Sequence, residues 1–170
     1  MMEMFITIGP SGSGKTTWCN NNMGCGDVYS ADHYFEELAD KVGALYEEVF
    51  SVQKLGNAHA QCFRRASEAL HAFQSPVAVA NTHTRESEVS PYILLAHAYG
   101  YSVRVVAMVA AEDVSSHGLT ETPCEAWIER CWRRNHHGVP RDAVRAQARR
   151  AYKLLNRWPR HWPKPLLVTS

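Results

Sequence analysis

An α/β layered domain, with a mainly parallel central sheet flanked by helices, is predicted by three observations. Strand-like and helix-like stretches take turns along the chain, a glycine-rich turn joins the first strand to the first helix, and no linker or repeat divides the 170 residues. Alternation of this kind is how parallel strands are connected, because each crossover must travel back along the sheet, usually as a helix. Residues 1–170 are expected to form one domain, a size at which a single core is the rule.

The elements follow in order. Residues 4–8 are apolar enough for a short buried strand, and a glycine-rich turn leads to a helix start over 15–20, ended by a run of three Asn and Gly24. Residues 28–30 form a second short strand. Leu55, Ala58, Cys62, Ala66, Ala69 and Phe73 recur at helical spacing until Ser75-Pro76 breaks the pattern. A strand is expected over 77–80, a helix over 87–99 ended by Gly100, and the most β-rich run of the chain over 103–110. A further helix opens at Thr122-Pro123-Cys124-Glu125, which has the form of a capping box with Pro at the first helical position. The last predicted helix covers 140–157.

Composition excludes several classes. The apolar runs fall short of the ~20 residues that a membrane helix needs. The N-terminus has no basic region and no small-residue cleavage pattern, so no export signal is visible. Cys19, Cys25, Cys62, Cys124 and Cys131 form an odd set without a CxxC pair, which fits free thiols in the cytoplasm. Cys131, His136 and His137 lack a fourth ligand at zinc spacing.

The first turn carries the sharpest chemical signal. Gly9-Pro10-Ser11-Gly12-Ser13-Gly14-Lys15-Thr16 matches G-x-x-x-x-G-K-[ST], a Walker A loop, directly after a strand. Glycines let backbone amides converge on phosphate oxygens, and the helix N-terminus adds a favourable partial charge. Gly9, Ser11, Gly12, Ser13, Gly14, Lys15, Thr16 and Thr17 are the expected nucleotide-binding residues. Lys15 reaches the β- and γ-phosphates, and the Thr16 hydroxyl holds Mg²⁺. ATP, or another nucleoside triphosphate, and Mg²⁺ are thus the expected cofactors.

Transfer of a phosphoryl group also needs a group to deprotonate the acceptor. Asp32, in Ser30-Ala31-Asp32-His33-Tyr34, follows the second strand, at the sheet edge where such folds carry their catalytic groups. The competing role for Asp32 is a helix N-cap ahead of Tyr34-Phe35-Glu36-Glu37. On the helix after Thr122, Trp127, Ile128, Cys131 and Trp132 gather on one side, while Arg130, Arg133, Arg134 and His137 gather on the other. That helix and the Gly138-Val139-Pro140 turn, about 122–140, are expected to close as an arginine-bearing lid, a surface helix with solvated charge being the plainer alternative.

Charge is uneven along the chain. Residues 1–129 hold 7 lysines and arginines against 16 acids, whereas residues 130–170 hold 11 against one. Arg141, Arg145, Arg149, Lys153 and Arg157 recur every fourth residue, a basic row of ~24 Å that a nucleic-acid backbone can follow. Trp158 and Trp162 either add stacking surfaces to this row or pack the tail onto the sheet.

These motifs, with Ala80-Asn81-Thr82-His83-Thr84 and Arg133-Arg134-Asn135-His136-His137-Gly138-Val139-Pro140, resemble a family. It is the P-loop kinases that include the 5′-hydroxyl kinase domain of bacteriophage polynucleotide kinase and the related NEDD-binding-protein-like ATPases, and the likeness runs from Phe5 to about Tyr152. The resemblance implies a P-loop kinase fold with a helical lid, Asp32 as general base on a 5′-hydroxyl, and Arg134 with Arg130 on the transferring phosphate. Two departures stand out. Phe35 occupies the position of an arginine that holds the acceptor phosphate in the phage enzyme, and the Ala80-Asn81 segment lacks the acidic residue common in the family. Asn81, Thr82 and His33 are therefore the acceptor-binding candidates. The expected function is an ATP-dependent 5′-hydroxyl kinase of DNA or RNA ends, with any ligase or phosphatase partner on a separate protein. The rivals are a small-molecule or nucleoside kinase on the same scaffold and a non-catalytic ATP-binding module.

Overall fold

The computed structural model describes residues 1–24 and 26–170, so Cys25 lies outside the described residues. The chain runs β1 (Glu3–Ile8), α1 (Lys15–Asn22), β2 (Asp27–Tyr29), α2 (Asp32–Val42), α3 (Tyr46–Val49), α4 (Leu55–His71), β3 (Val77–Val79), α5 (Glu86–Ala98) and β4 (Ser102–Val109). A small hairpin of β5 (Val114–Ser115) and β6 (Gly118–Leu119) follows, then α6 (Glu125–Arg134), α7 (Arg141–Asn156) and β7 (Leu166–Thr169). The five main strands form one sheet in the order β2-β3-β1-β4-β7, and every pair in it is parallel.

β1 sits at the centre because it is apolar on both faces. Met4, Ile6 and Ile8 enter one core layer with Cys62, Ala66, Ala69 and Leu70 of α4 and Val89, Ile93 and Ala96 of α5. Phe5 enters the other with Cys19 of α1, Trp127 and Ile128 of α6, and Val144, Ala148 and Tyr152 of α7. Alternate side chains of one strand thus feed two helical layers, the arrangement expected of a parallel sheet covered on both sides. The C-terminal ends of β1, β2 and β3 all point to the same edge, where the glycine-rich turn, Asp32 and Asn81 emerge.

Several expectations are corrected. α6 starts at Glu125, and no side chain caps it. The Thr122 capping box does not form, because the Cys124 N–H donates instead to Asp113 Oδ2 at 2.8 Å, a carboxylate brought in from the end of β4. Trp132 is 37% exposed rather than packed with Trp127 and Cys131, because the core beneath α6 is already filled. The Trp158 and Trp162 rings meet edge to face at 5.1 Å and pack against the core, which is the packing alternative. α3, the β5–β6 hairpin and β7 were not expected. The basic row is half neutralised: Arg141 pairs with Glu129 (2.8 Å), Arg145 with Glu125 and Asp142 (both 2.9 Å), and Arg149 with Glu125 (3.5 Å). Within residues 130–170, among the described residues, only Arg134, Arg150, Lys153, Arg157, Arg160 and Lys164 have no carboxylate partner.

One buried network anchors the α6–α7 hairpin to the sheet. The Tyr152 hydroxyl donates to Asp113 Oδ2 at 2.8 Å and accepts from the Ala110 N–H at 2.9 Å. Tyr152→Phe strands both groups out of water, and a loss of about 2 kcal/mol in unfolding free energy is expected by denaturant titration. Among the described residues no helix is long and apolar enough to cross a membrane.

Candidate active site

The loop between β1 and α1 is bent by glycines that no other residue replaces without strain. Gly12 has φ +75°, and a Cβ there would lie 1.9 Å from the Cys131 carbonyl oxygen of α6. Gly14, at φ +89°, is the left-handed cap of α1 and faces open space. The loop and lid therefore touch backbone to backbone. Gly12→Ala is expected to push α6 away, lowering unfolding free energy by about 2 kcal/mol and ATP affinity at least about tenfold, as read by thermal unfolding with and without ATP.

Inside this turn Lys15 is buried, and its Nζ donates to the carbonyls of Gly9 (3.1 Å) and Pro10 (2.7 Å). Burial lowers its pKa to about 8, a drop that the charges of Asp32, Cys131 and Cys19 oppose. Ser13 Oγ is buried with no partner. One loop amide is already taken, since the Ser11 N–H donates to Gln147 Oε1 of α7 at 2.9 Å.

Across from the loop stands Asp32, the first residue of α2. Ala31 is the cap of that helix and no side chain caps it, so the N-cap role for Asp32 does not hold. Its Oδ1 accepts from the Tyr46 hydroxyl at 2.8 Å, its Oδ2 accepts from Ser30 Oγ at 3.3 Å, and His137 Nε2 of the lid lies 3.7 Å from Oδ2. Burial and the neighbouring carboxylate push the Tyr46 phenol well above its ordinary range, so it stays a donor. Asn81 holds the whole turn: its Oδ1 accepts the Ala31 N–H at 2.8 Å and its Nδ2 donates to Cys62 Sγ at 3.5 Å.

The loop, Asp32 and the lid enclose a single cavity of about 1120 Å³. Ser11, Gly12, Ser13, Gly14, Lys15, Thr16, Thr17, Asp32, Asn81, Thr82 and Arg134 line it. Gly9 does not: its N–H donates to the Thr82 carbonyl at 3.0 Å, and it packs behind the loop against Ser13 and Met108. His33 and Arg130 do not line it either. Arg130 Nη2 is held by Glu112 at 3.1 Å, since the short turn directly after β4 offers a carboxylate on that side of α6.

Two site residues, Tyr46 and Gln147, had no role in the sequence reading, and His137 and His83 figured there only within motifs. Tyr46 belongs to a helix of four residues, too short for a periodic signal. Gln147 is a polar residue at the edge of the buried Val144, Ala148 and Ala151 stripe, and that misfit was the available signal. His137, placed on the cationic face of α6, lies beyond the end of the helix, stacked on Tyr46 with ring centroids 4.2 Å apart. His83 has φ +47°, its Nδ1 lies 2.8 Å from the Thr7 carbonyl, and burial lowers its pKa to about 4.

A family model, AAA_33, described as an AAA domain, matches residues 4–155. Human NEDD4-binding protein 2 is 27% identical over 176 residues, which take in 99% of this chain and 8% of that protein. Among solved structures, a candidate kinase of Chloroflexus aurantiacus J-10-fl superposes with a TM-score of 0.62 at 19% identity, over 99% of this chain and 88% of that one. A chain of the Pnkp1/Rnl/Hen1 RNA repair complex gives 0.63 at 13% identity, over 93% and 46%. A sugar kinase of Janibacter sp. HTCC2649 gives 0.52 at 16%, over 99% and 86%. At such identities these structures speak for the fold alone. Because the family model runs from the first strand almost to the end of α7, the chain belongs to that AAA domain family, on a fold shared with P-loop kinases.

Proposed function

We propose that this protein is an ATP-dependent kinase that phosphorylates the 5′-hydroxyl end of DNA or RNA. The observation that carries the proposal is that Asp32 lines the same cavity as the Walker A loop, with its carboxylate held by the Tyr46 hydroxyl. The loop fits a triphosphate: Ser13 Oγ is a buried donor without a partner, and the Lys15 ammonium has only two carbonyls for company. Thr16 is the residue that would hold Mg²⁺, which when bound neutralises phosphate charge.

The division of labour follows from position. Backbone amides of residues 11–16 and Lys15 bind the donor phosphates, and Gln147 leaves the Ser11 amide when they arrive. Arg134 adds positive charge from the lid to the transferring group. Asp32 accepts the proton of the attacking hydroxyl, with Tyr46 and Ser30 fixing its carboxylate plane. Asn81 keeps Asp32 at that height above the sheet, and Thr82 offers a hydroxyl to the acceptor. Closure of residues 134–140 over Asp32 keeps water from competing as acceptor. The free cysteines among the described residues suit action in the cytoplasm, and any ligase or phosphatase partner belongs to a separate chain.

A second reading, a kinase of small hydroxylated molecules, is favoured by one observation: among the described residues, Lys15 and Arg134 are the only lysine and arginine lining the cavity, and the proposal gives both to the donor. The test is transfer from γ-labelled ATP to 5′-hydroxyl DNA and RNA oligonucleotides across a salt series. Label at the 5′ end that falls steeply with salt supports the polynucleotide reading. Label on free nucleosides or sugars alone supports the second, and ATP binding with no acceptor labelled leaves a non-catalytic module.

A further inference from the structure

The far wall of the cavity, opposite the Walker A loop, has a composition that the phosphate chemistry does not use. Tyr46, Phe50, Val52 and Leu55 line it, and Phe50 (43%) and Val52 (69%) remain exposed there. The rings are held in fixed orientations. Tyr46 and Phe50 are nearly parallel, 19° apart with centroids at 6.0 Å, and Phe35 packs beneath both at 5.7 and 5.0 Å. The same Tyr46 donates its hydroxyl to Asp32, so the wall is tied directly to the base.

Resting on the kinase reading above, we infer that this wall is the acceptor subsite and takes a planar ring, the base of the 5′-terminal nucleoside, stacked against Phe50 and bordered by Val52. Exposed aromatic surface beside a catalytic carboxylate is a stacking platform for a base, whatever the base's identity, because every base presents a π-face. A nucleoside carries its base and its 5′-hydroxyl on one small sugar, so a base seated on this wall brings the hydroxyl to the Asp32 end. Among the described residues no lysine or arginine lines this side, so the acceptor is gripped by its ring rather than by its phosphate. Phe35 supports the ring wall from below.

The experiment compares two 5′-hydroxyl oligonucleotides that differ only in the terminal residue, thymidine or an abasic tetrahydrofuran that keeps its 5′-hydroxyl. For the unaltered protein, kcat/KM on the abasic end is expected to fall about 10- to 100-fold, mostly through KM. Phe50→Ala is expected to lower kcat/KM on thymidine and bring the two ends within about threefold of each other. Equal rates on both ends with the unaltered protein, or undiminished discrimination in Phe50→Ala, would overturn the stacking subsite while leaving the kinase intact. Absence of label on both ends with ATP bound would overturn the kinase reading, and the subsite with it.

Discussion

Asp32→Asn is expected to lower kcat for phosphoryl transfer about 10²- to 10⁴-fold while leaving ATP affinity within about threefold. The amide keeps the size of the side chain, and its oxygen still accepts from Tyr46, which donates to Asp32 Oδ1 at 2.8 Å. It cannot accept a proton, and its nitrogen cannot accept from Ser30, so the chemistry is lost with little change in shape. Donor binding survives because Lys15 is held by the carbonyls of Gly9 and Pro10 rather than by Asp32. Isothermal titration with ATP, run beside single-turnover transfer, separates the two effects.

The second large effect concerns Lys15, whose pKa is lowered by burial to about 8. The sign is opposite to that of a group gaining a partner. Between the folded value and the ordinary 10.5, the unfolded chain binds more protons, so this residue makes the nucleotide-free protein more stable as pH rises through that window. Triphosphate restores the charge. ATP binding above pH 8 is therefore expected to take up close to one proton, and apparent affinity falls by up to about tenfold per pH unit there. Titrations in buffers of different ionisation enthalpy measure the uptake directly. Lys15→Ala abolishes it and weakens ATP binding about 100-fold or more, because a buried charge-assisted interaction with phosphate is removed. Since the Asp32 charge holds the Lys15 pKa up, Asp32→Asn shifts the onset of uptake to lower pH.

Much of this architecture was legible in the residues. The run from Val105 to Val109 is apolar on both faces because it is buried between helical layers, and such strands announce themselves by composition. The Walker A spacing placed the glycine-rich turn between β1 and α1, and the position of Asp32 was legible because it follows a strand that ends at the same sheet edge. What escaped depended on partners distant in sequence. β7 is an edge strand paired only with β4, and its exposed Leu166 blurs any apolar pattern. The Thr122 box did not form; the helix starts at Glu125, and Asp113, eleven residues before Cys124, accepts the Cys124 N–H. The basic row was real along the helix and lost half its charge in space, because α6 brings Glu125 and Glu129 against it. Tyr46 and Phe50, which form the acceptor wall, lie between two helices in a segment with no period to read.

The central claim is that one cavity divides donor binding at the Walker A loop from acceptor activation at Asp32. Single-turnover transfer from γ-labelled ATP to a 5′-hydroxyl oligonucleotide, with the unaltered protein and Asp32→Asn both saturated with ATP, tests it most directly. The account predicts label at the 5′ end with the unaltered protein and about 10²-fold or greater loss in the variant. Transfer by Asp32→Asn at the unaltered rate would contradict it.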